Sequence, residues 1–173
     1  MHSALLDSVL VVMTAMTAGA LGVEIAPPDA GITPSTGGPR PAAQANDDAA
    51  LCRIAAEAAQ SAYARYSGYR VGAALLDDDG RVFTGCNVEN GSYGLTNCAE
   101  RTAVFKAVSE GARGFSAIAI AGGTEKPAYP CGACRQVLSE FCGPEFPVVC
   151  ATLDLSRIER FTLGSLLPQS FAL

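Results

Sequence analysis

The chain has 173 residues, which is enough for about one domain with a substantial hydrophobic core. Charged residues make up 17% of it, below the usual share of about 25%, and 49% of it is hydrophobic. The formal net charge of −5 argues against a surface that binds nucleic-acid phosphates and favours a small neutral substrate.

The histidine and cysteine content narrows the catalytic chemistry. The only histidine is His2, at the extreme N-terminus, so a Ser-His-Asp or Cys-His arrangement in the folded domain is excluded. Proton transfer near neutral pH therefore falls to a carboxylate, a Tyr, a Lys or metal-bound water. The seven cysteines lack the pattern of a disulfide scaffold, which indicates reduced thiols and a cytoplasmic location. Four of them are interpreted as small buried apolar residues: Cys52, Cys86, Cys142 and Cys150.

Residues 1–47 are predicted to be a leader that precedes a catalytic domain at residues 48–173. Residues 8–23 are uncharged, but this stretch is shorter than the roughly 20 residues that span a bilayer. No Lys or Arg precedes Arg40, so the basic region of a secretory signal is missing, although A-G-A at 18–20 resembles a cleavage site. A Pro- and Gly-rich linker follows. We expect a poorly ordered leader without catalytic residues; a targeting segment and an added helix are the alternatives.

The rest of the chain alternates between helical and strand patterns. An amphipathic helix with N-cap residues at 46–48 is predicted to extend to about Arg65, before a turn at 66–68. Strands at 71–76 and 81–86 enclose a hairpin turn, and a polar loop follows at 87–97. The remaining predicted elements are a helix at 98–110, a strand at 116–121, a helix at 131–141, a strand at 147–152, a strand near 161 and a helical turn near 165–167. This alternation indicates a layered α/β domain with a mixed sheet.

Two short motifs carry the chemistry: C-A-E-R at residues 98–101 and P-C-G-A-C-R-Q at residues 130–136. Cys131 and Cys134 are three residues apart at the start of a helix, so their sulfurs point the same way. With Cys98 they form a Cys₃ set that leaves one zinc position open, as in catalytic rather than structural sites. Glu100 follows two residues after the first ligand, where it can handle protons without binding the metal.

These motifs also have simpler interpretations, namely a structural zinc site or a redox dithiol. Glu100 could by itself be a first-turn residue that complements the helix dipole. Cys98 and Cys131 both open predicted helices, whose free N–H groups stabilise thiolate charge. Arg101 and Arg135 are expected to draw off more of that charge. The combination of C-x-E with P-C-x-x-C favours the catalytic interpretation.

Residues of about 50–171 resemble a cytidine deaminase of the homotetrameric, Cys₃-zinc kind. The matching stretches are F-T-G-C-N-V-E-N at 83–90, N-C-A-E-R-T-A at 97–103, P-C-G-A-C-R-Q at 130–136, and L-L-P at 166–168 with Phe171. The resemblance implies a three-layer α/β/α domain with a mixed, about five-stranded sheet, one zinc ion per chain and a homotetramer. It also implies hydrolytic deamination of cytidine and deoxycytidine to uridine and deoxyuridine plus ammonia, in pyrimidine salvage.

The resemblance also assigns roles to single residues. These roles are zinc binding by Cys98, Cys131 and Cys134, proton transfer by Glu100, ribose binding by Asn87 and Glu89, and pyrimidine binding by the backbone of Ala99. For Asn87 and Glu89 the alternative is a loop-capping role.

Two further residues are assigned to the substrate with alternatives left open. Tyr69-Arg70 stands where the family commonly has Phe-Pro; Tyr69 can still form an aromatic wall for the base, but its hydroxyl needs a partner. Phe171 is either a frayed end or a residue that reaches a neighbouring subunit's site.

Two other functions share the zinc motifs. One is a deaminase of a cytosine-containing nucleoside antibiotic, similar to blasticidin S deaminase. The other is a catalytically silent zinc protein, which the intact Glu100 argues against.

Overall fold

The computed structural model describes residues 44–171, and most of the predicted leader, residues 1–43, lies outside this range. Four α-helices and five strands are present in the described residues, together with short 3₁₀ turns at Ala59–Ser61 and Tyr93–Leu95. In chain order they are α1 (Gln44–Ala58), β1 (Val71–Asp77), β2 (Val82–Cys86), α2 (Ala99–Ser109), β3 (Phe115–Gly122), α3 (Gly132–Phe141), β4 (Pro147–Ala151), β5 (Ile158–Thr162) and α4 (Leu163–Leu166).

The five strands form one mixed sheet in the order β2-β1-β3-β4-β5. β1 runs antiparallel to both β2 and β3, β3 and β4 are parallel, and β5 is antiparallel to β4. The mixed five-stranded sheet predicted from the sequence is therefore confirmed, and its strand bounds agree with the prediction to within about three residues.

The first layer of the domain is α1, which covers one face of the sheet. Leu51, Cys52 and Ala55 of this helix are buried with Ala74 of β1 and Val149 of β4 in one hydrophobic core. The small side chains on both sides allow the helix to lie close to the sheet, since neighbouring layers approach as far as their side chains permit.

The opposite face carries the second core, between the sheet and the helices α2 and α3. Leu75 and Ile118 point to this face because side chains alternate along a strand. They are buried with Val104 of α2 and Leu138 of α3. Two helical layers enclose the sheet, so the three-layer α/β/α arrangement is confirmed.

The predicted start of the first helix was wrong. α1 begins at Gln44, so residues 46–48 lie inside the helix rather than before it. Asp47 lies in the first turn, where a negative charge complements the helix dipole. The carboxylate of Asp48 forms an ion pair with Arg160 of β5, a contact that cannot be read from the neighbouring residues.

The predicted end of this helix, near Arg65, was also wrong. The helix ends at Ala58, and after the 3₁₀ turn Ala62 adopts an extended conformation with φ −62° and ψ 132°. The chain then pairs in parallel with a distant segment, because Tyr63 and Val88 form an isolated bridge. This pairing replaces the last predicted helical turn.

β2 and α2 pack with their backbones in close approach at Gly85. A Cβ atom added there would lie 2.3 Å from the carbonyl oxygen of Ala99 and 2.5 Å from the amide nitrogen of Ala103. Only glycine fits this position, and its absence of a side chain sets the start of α2 directly against the sheet. Within the described residues, no helix has the length and apolar character needed to cross a membrane.

Candidate metal centre and active site

The topology of the sheet brings the two zinc motifs together. β2 and β3 are both antiparallel to β1, so they run parallel to each other and end at the same edge of the sheet. The chain after β2 leads into α2, and the chain after β3 leads into α3. Both helices therefore begin at one edge, where ligands commonly bind in open α/β sheets. This arrangement explains why Cys98 and Cys131 meet.

The three motif cysteines lie at the N-termini of these helices. Cys98 is the N-cap residue of α2 and Cys131 the N-cap residue of α3, both with extended backbones. Cys134 follows in the first turn of α3 and is buried. The Sγ atoms of Cys98 and Cys131 are 3.9 Å apart, and those of Cys131 and Cys134 are 3.5 Å apart.

This spacing fits a zinc ion. Sulfur ligands about 2.3 Å from a tetrahedral zinc lie about 3.8 Å from one another, between the two distances observed. All three sulfurs lie within 4.8 Å of one another. Soft thiolates are also a ligand type that zinc prefers. A set of three ligands leaves a fourth position open, as catalytic zinc sites require.

The cluster favours a thiolate on Cys98. Hydrogen bonding to Cys134, with a further contribution from Arg101, lowers the pKa of Cys98 to about 5. The pKa of Cys134 moves the opposite way, because its thiol is bonded to the Cys98 sulfur and is buried. The two shifts describe one negative charge that the pair shares.

Arg101 is the positively charged side chain that lies next to the Cys98 thiolate. Its Nη2 atom lies 3.7 Å from the Sγ atom of Cys98 and donates to the Thr96 carbonyl at 3.1 Å. Arg135, which was expected to act in the same way, donates instead to the backbone carbonyls of Pro130 at 2.8 Å and Leu166 at 2.6 Å. It anchors the start of α3 to the C-terminal segment.

Glu100 is a buried carboxyl group beside the cluster. It lies in the first turn of α2, and only 4% of its surface is exposed. Burial raises the pKa of Glu100 to about 7, and the nearby charge on Cys98 adds to the increase. A group with this pKa can both accept and release a proton near neutral pH.

Asn87 and Glu89 hold the segment that precedes β1. The side chain of Asn87 accepts from the Val71 amide and donates to the Tyr69 carbonyl, both at 2.9 Å. The carboxylate of Glu89 accepts from the Tyr66 amide at 2.8 Å, and from the amide and hydroxyl groups of Ser67. These are the contacts of the loop-capping alternative, and the ribose-binding role stays a prediction.

These two side chains nevertheless lie close to the metal motif. Val88, between them, exchanges two backbone hydrogen bonds with Asn97, which directly precedes Cys98. A cleft of about 400 Å³ opens beside Glu89, and its lining residues are Tyr66, Ser67, Glu89, Asn90, Tyr93 and Thr96.

The other predicted substrate residues are arranged around the same edge. Ala99, the first residue of α2, is fully buried. Tyr69 is half exposed, and its hydroxyl group reaches the end of β3, where it would lie 2.9 Å from a Cβ atom added at Gly123. The side chain of Phe171 is 68% exposed, while its carbonyl accepts from Gln136 of α3 at 2.9 Å. The substrate roles of Tyr69 and Phe171 stay predictions.

The sequence interpretation missed or misjudged a few residues. Asn97 and Thr96 support the site through their backbones, and their position directly before Cys98 was the signal that could have revealed them. Cys86 is only partly buried, contrary to the expectation of a buried apolar residue. The other three cysteines of that group are buried as expected: Cys52, Cys142 and Cys150.

Comparison with known proteins gives a consistent result. A family model described as cytidine and deoxycytidylate deaminase zinc-binding region matches residues 45–152. A cytidine deaminase from Sporosarcina psychrophila is 53% identical over 116 residues, covering 67% of this chain and 85% of that protein. A cytidine deaminase from Mycobacterium tuberculosis is 48% identical over 119 residues, covering 69% of this chain and 85% of that protein.

Solved structures agree with the sequence matches. The crystal structure of cytidine deaminase from Burkholderia pseudomallei superposes with a TM-score of 0.68 at 50% identity, covering 71% of this chain and 98% of that one. The crystal structure of cytidine deaminase from Mycobacterium tuberculosis gives a TM-score of 0.64 at 47% identity, covering 73% of this chain and 98% of that one.

Replacing one ligand should remove the metal. In Cys131→Ser we expect loss of bound zinc after dialysis, loss of activity and a lower Tm, because metal binding is coupled to folding. Elemental analysis and thermal unfolding measure these effects. Cys86→Ser, which changes a partly buried cysteine outside the cluster, is the matched control and should keep its zinc. Full zinc content in Cys131→Ser would contradict the ligand assignment.

Proposed function

This chain belongs to the cytidine and deoxycytidylate deaminase family, and we propose that it hydrolyses cytidine and deoxycytidine to uridine and deoxyuridine plus ammonia. The observation that carries the proposal is the Cys₃ cluster with the buried Glu100 beside it. The relatives named above are cytidine deaminases, so a deaminase of a nucleoside antibiotic is not favoured.

Cys98, Cys131 and Cys134 would hold the metal. Bound zinc supplies Lewis acidity that makes water a nucleophile near neutral pH. Arg101 and the two helix N-termini reduce the negative charge of the thiolates, which would otherwise weaken that acidity.

Glu100 moves the protons of the reaction. It accepts a proton from the attacking water and delivers it to the ring nitrogen N3, which makes C4 more electrophilic. The water oxygen bonds to C4. Glu100 then takes the remaining proton from the hydroxyl now on C4 and transfers it to the amine, the C4–N4 bond breaks, and the C4 oxygen becomes the carbonyl of uridine. Water and cytidine thus give uridine and ammonia. The pKa of about 7 suits a single carboxyl group that acts first as base and then as acid.

Substrate binding is assigned to the residues around the cluster. The backbone of Ala99 and the ring of Tyr69 contact the pyrimidine, and Asn87 and Glu89 bind the ribose hydroxyls. Support comes from the backbone pairing of Val88 with Asn97, which brings this segment to the metal motif. The hydrogen bonds that Glu89 makes to the turn at 66–67 also preorganise its carboxylate and lower its pKa, which keeps it an acceptor.

The active assembly is proposed to be a homotetramer in a reducing compartment such as the cytoplasm. Support comes from Tyr93 and Leu95 beside the cleft, which are 79% and 71% exposed and close in sequence, so together they offer apolar surface to another chain. Phe171, also exposed, is assigned to a neighbouring subunit's site. None of the seven cysteines, all of which lie in the described residues, forms a disulfide, and this agrees with a reducing compartment. An active monomer in light scattering at assay concentration would contradict the tetramer.

The ribose role of Glu89 can be separated from its loop contacts by the choice of substrate. We expect Glu89→Ala to weaken transition-state binding of cytidine by about 1.5–3 kcal/mol, the range for hydrogen bonds to a charged group. The effect should largely disappear with 2′,3′-dideoxycytidine, which lacks both hydroxyls. The fall in ultraviolet absorbance as cytidine or deoxycytidine becomes its uracil product measures kcat/KM, and it also tests the activity itself.

Ser67→Ala is the control for that measurement, because it removes a loop contact of Glu89 and leaves the carboxylate in place. It should change kcat/KM for both substrates by similar, small factors. An equal loss for cytidine and dideoxycytidine in Glu89→Ala would assign Glu89 to loop capping alone. A chain that turns over neither cytidine nor deoxycytidine when loaded with zinc would refute the proposed function.

A further inference from the structure

The segment between β3 and Cys131 is hydrogen-bonded at two points to the start of the edge strand β5 and to Arg157 directly before it. Near its start, the Glu125 carbonyl accepts a hydrogen bond from Nη1 of Arg157 at 3.0 Å. At its end, the hydroxyl of Tyr129 donates to Oε2 of Glu159 at 2.8 Å. Nη2 of Arg157 is bonded to the other oxygen of Glu159 at 3.0 Å. The ion pair between Arg157, directly before β5, and Glu159 in β5 therefore contacts both ends of the segment that carries Cys131.

Tyr129 is fixed by its ring as well as by its hydroxyl. The ring packs edge to face against Phe161 of β5, with ring centroids 5.8 Å apart and an angle of 80° between the planes. Such pairs are favourable beyond the area that they bury. Tyr129 is nevertheless 45% exposed, so burial in the core does not account for it.

Only Pro130 separates Tyr129 from Cys131. Its ring fixes φ, so the backbone between the two residues has little freedom to absorb a displacement. Pro130 is buried, and its carbonyl accepts from Nε of Arg135 at 2.8 Å. A shift of the Tyr129 backbone is therefore passed on to the Sγ atom of Cys131, which must lie within a few tenths of an ångström of its place to bind zinc well.

We propose that Tyr129 is a positioning residue of the metal centre: its hydrogen bond to Glu159 holds the Cys131 ligand in place and slows the loss of zinc. Tyr129 acts through Cys131 and β5, and it makes no contact with the reacting atoms in this mechanism. The inference rests on the zinc site proposed above. Partners that orient metal ligands without binding the metal themselves typically change metal affinity by about 10–100-fold when removed.

The test is the rate at which zinc-loaded protein releases its metal to an excess of a chromogenic chelator. Tyr129→Phe keeps the ring against Phe161 and removes only the hydroxyl. Tyr129 does not contact the Cys131 side chain directly, so its effect should be smaller than that of a residue bonded to a metal ligand. We expect zinc release to be about three- to tenfold faster. kcat of the fully loaded enzyme should stay near that of the unsubstituted protein.

Variants of Glu159 test whether the Tyr129 hydroxyl acts through its hydrogen bond to the Glu159 carboxylate. Glu159→Ala should release zinc at least as fast as Tyr129→Phe, because it also frees Arg157, and adding Tyr129→Phe to Glu159→Ala should accelerate release no further. Glu159→Gln keeps one oxygen that can accept from Tyr129 but loses the ion pair with Arg157, so it should release zinc more slowly than Glu159→Ala. Additive effects in the double variant would overturn the proposal.

Tyr63→Phe is the matched control, since Tyr63 is 48% exposed and its hydroxyl accepts a bond from Arg65. It should leave zinc release unchanged. An unchanged rate in Tyr129→Phe, or an equal acceleration in Tyr63→Phe, would refute the role of Tyr129. A purified chain that binds no zinc at all would instead refute the proposed metal site.

Discussion

The rest of the structure depends on one constraint, the close placement of three cysteine sulfurs. The Sγ atom of Cys131 lies 3.9 Å from that of Cys98 and 3.5 Å from that of Cys134. Three thiolates at this distance repel one another strongly in a partly buried site. Hydrogen bonding within the cluster lowers the pKa of Cys98 and raises that of Cys134, which favours a thiolate beside a neutral thiol and lessens that repulsion. Two helix N-termini and Arg101 offset that charge. A divalent cation would let all three sulfurs bind as thiolates by offsetting their mutual repulsion, so the cluster suits a zinc ion.

The fold produces this constraint from ordinary rules of sheet topology. Parallel β2 and β3 end at one edge, so the helices that follow them begin side by side. The close approach at Gly85 then sets α2 against the sheet, which buries Glu100 next to the cysteines. Burial has a chemical consequence as well as a structural one, because it raises the pKa of this carboxyl group into the range where it exchanges protons. Packing and catalysis thus depend on the same contact.

The sequence predicted those parts of the molecule that local patterns determine. The cysteine spacing predicted that Cys131 and Cys134 lie together, because residues three apart share a helix face, and alternating hydrophobicity predicted the sheet. Contacts between distant residues could not be predicted in this way. The ion pair of Asp48 with Arg160 and the Tyr63–Val88 bridge beyond the end of α1 each join residues far apart in the sequence. Arg135 lies beside a ligand in sequence, yet it binds carbonyl groups of the backbone.

The central claim is that Glu100 carries protons without holding the metal. Measuring zinc content and cytidine turnover together in Glu100→Gln tests it most directly, because glutamine keeps the size of the side chain but cannot shuttle a proton. The account predicts about one zinc per chain, retained binding of uridine, and a kcat lower by at least the roughly 10²–10⁴-fold that general acid–base catalysis contributes. Turnover within a few-fold of the unsubstituted enzyme, with zinc retained, would contradict the account.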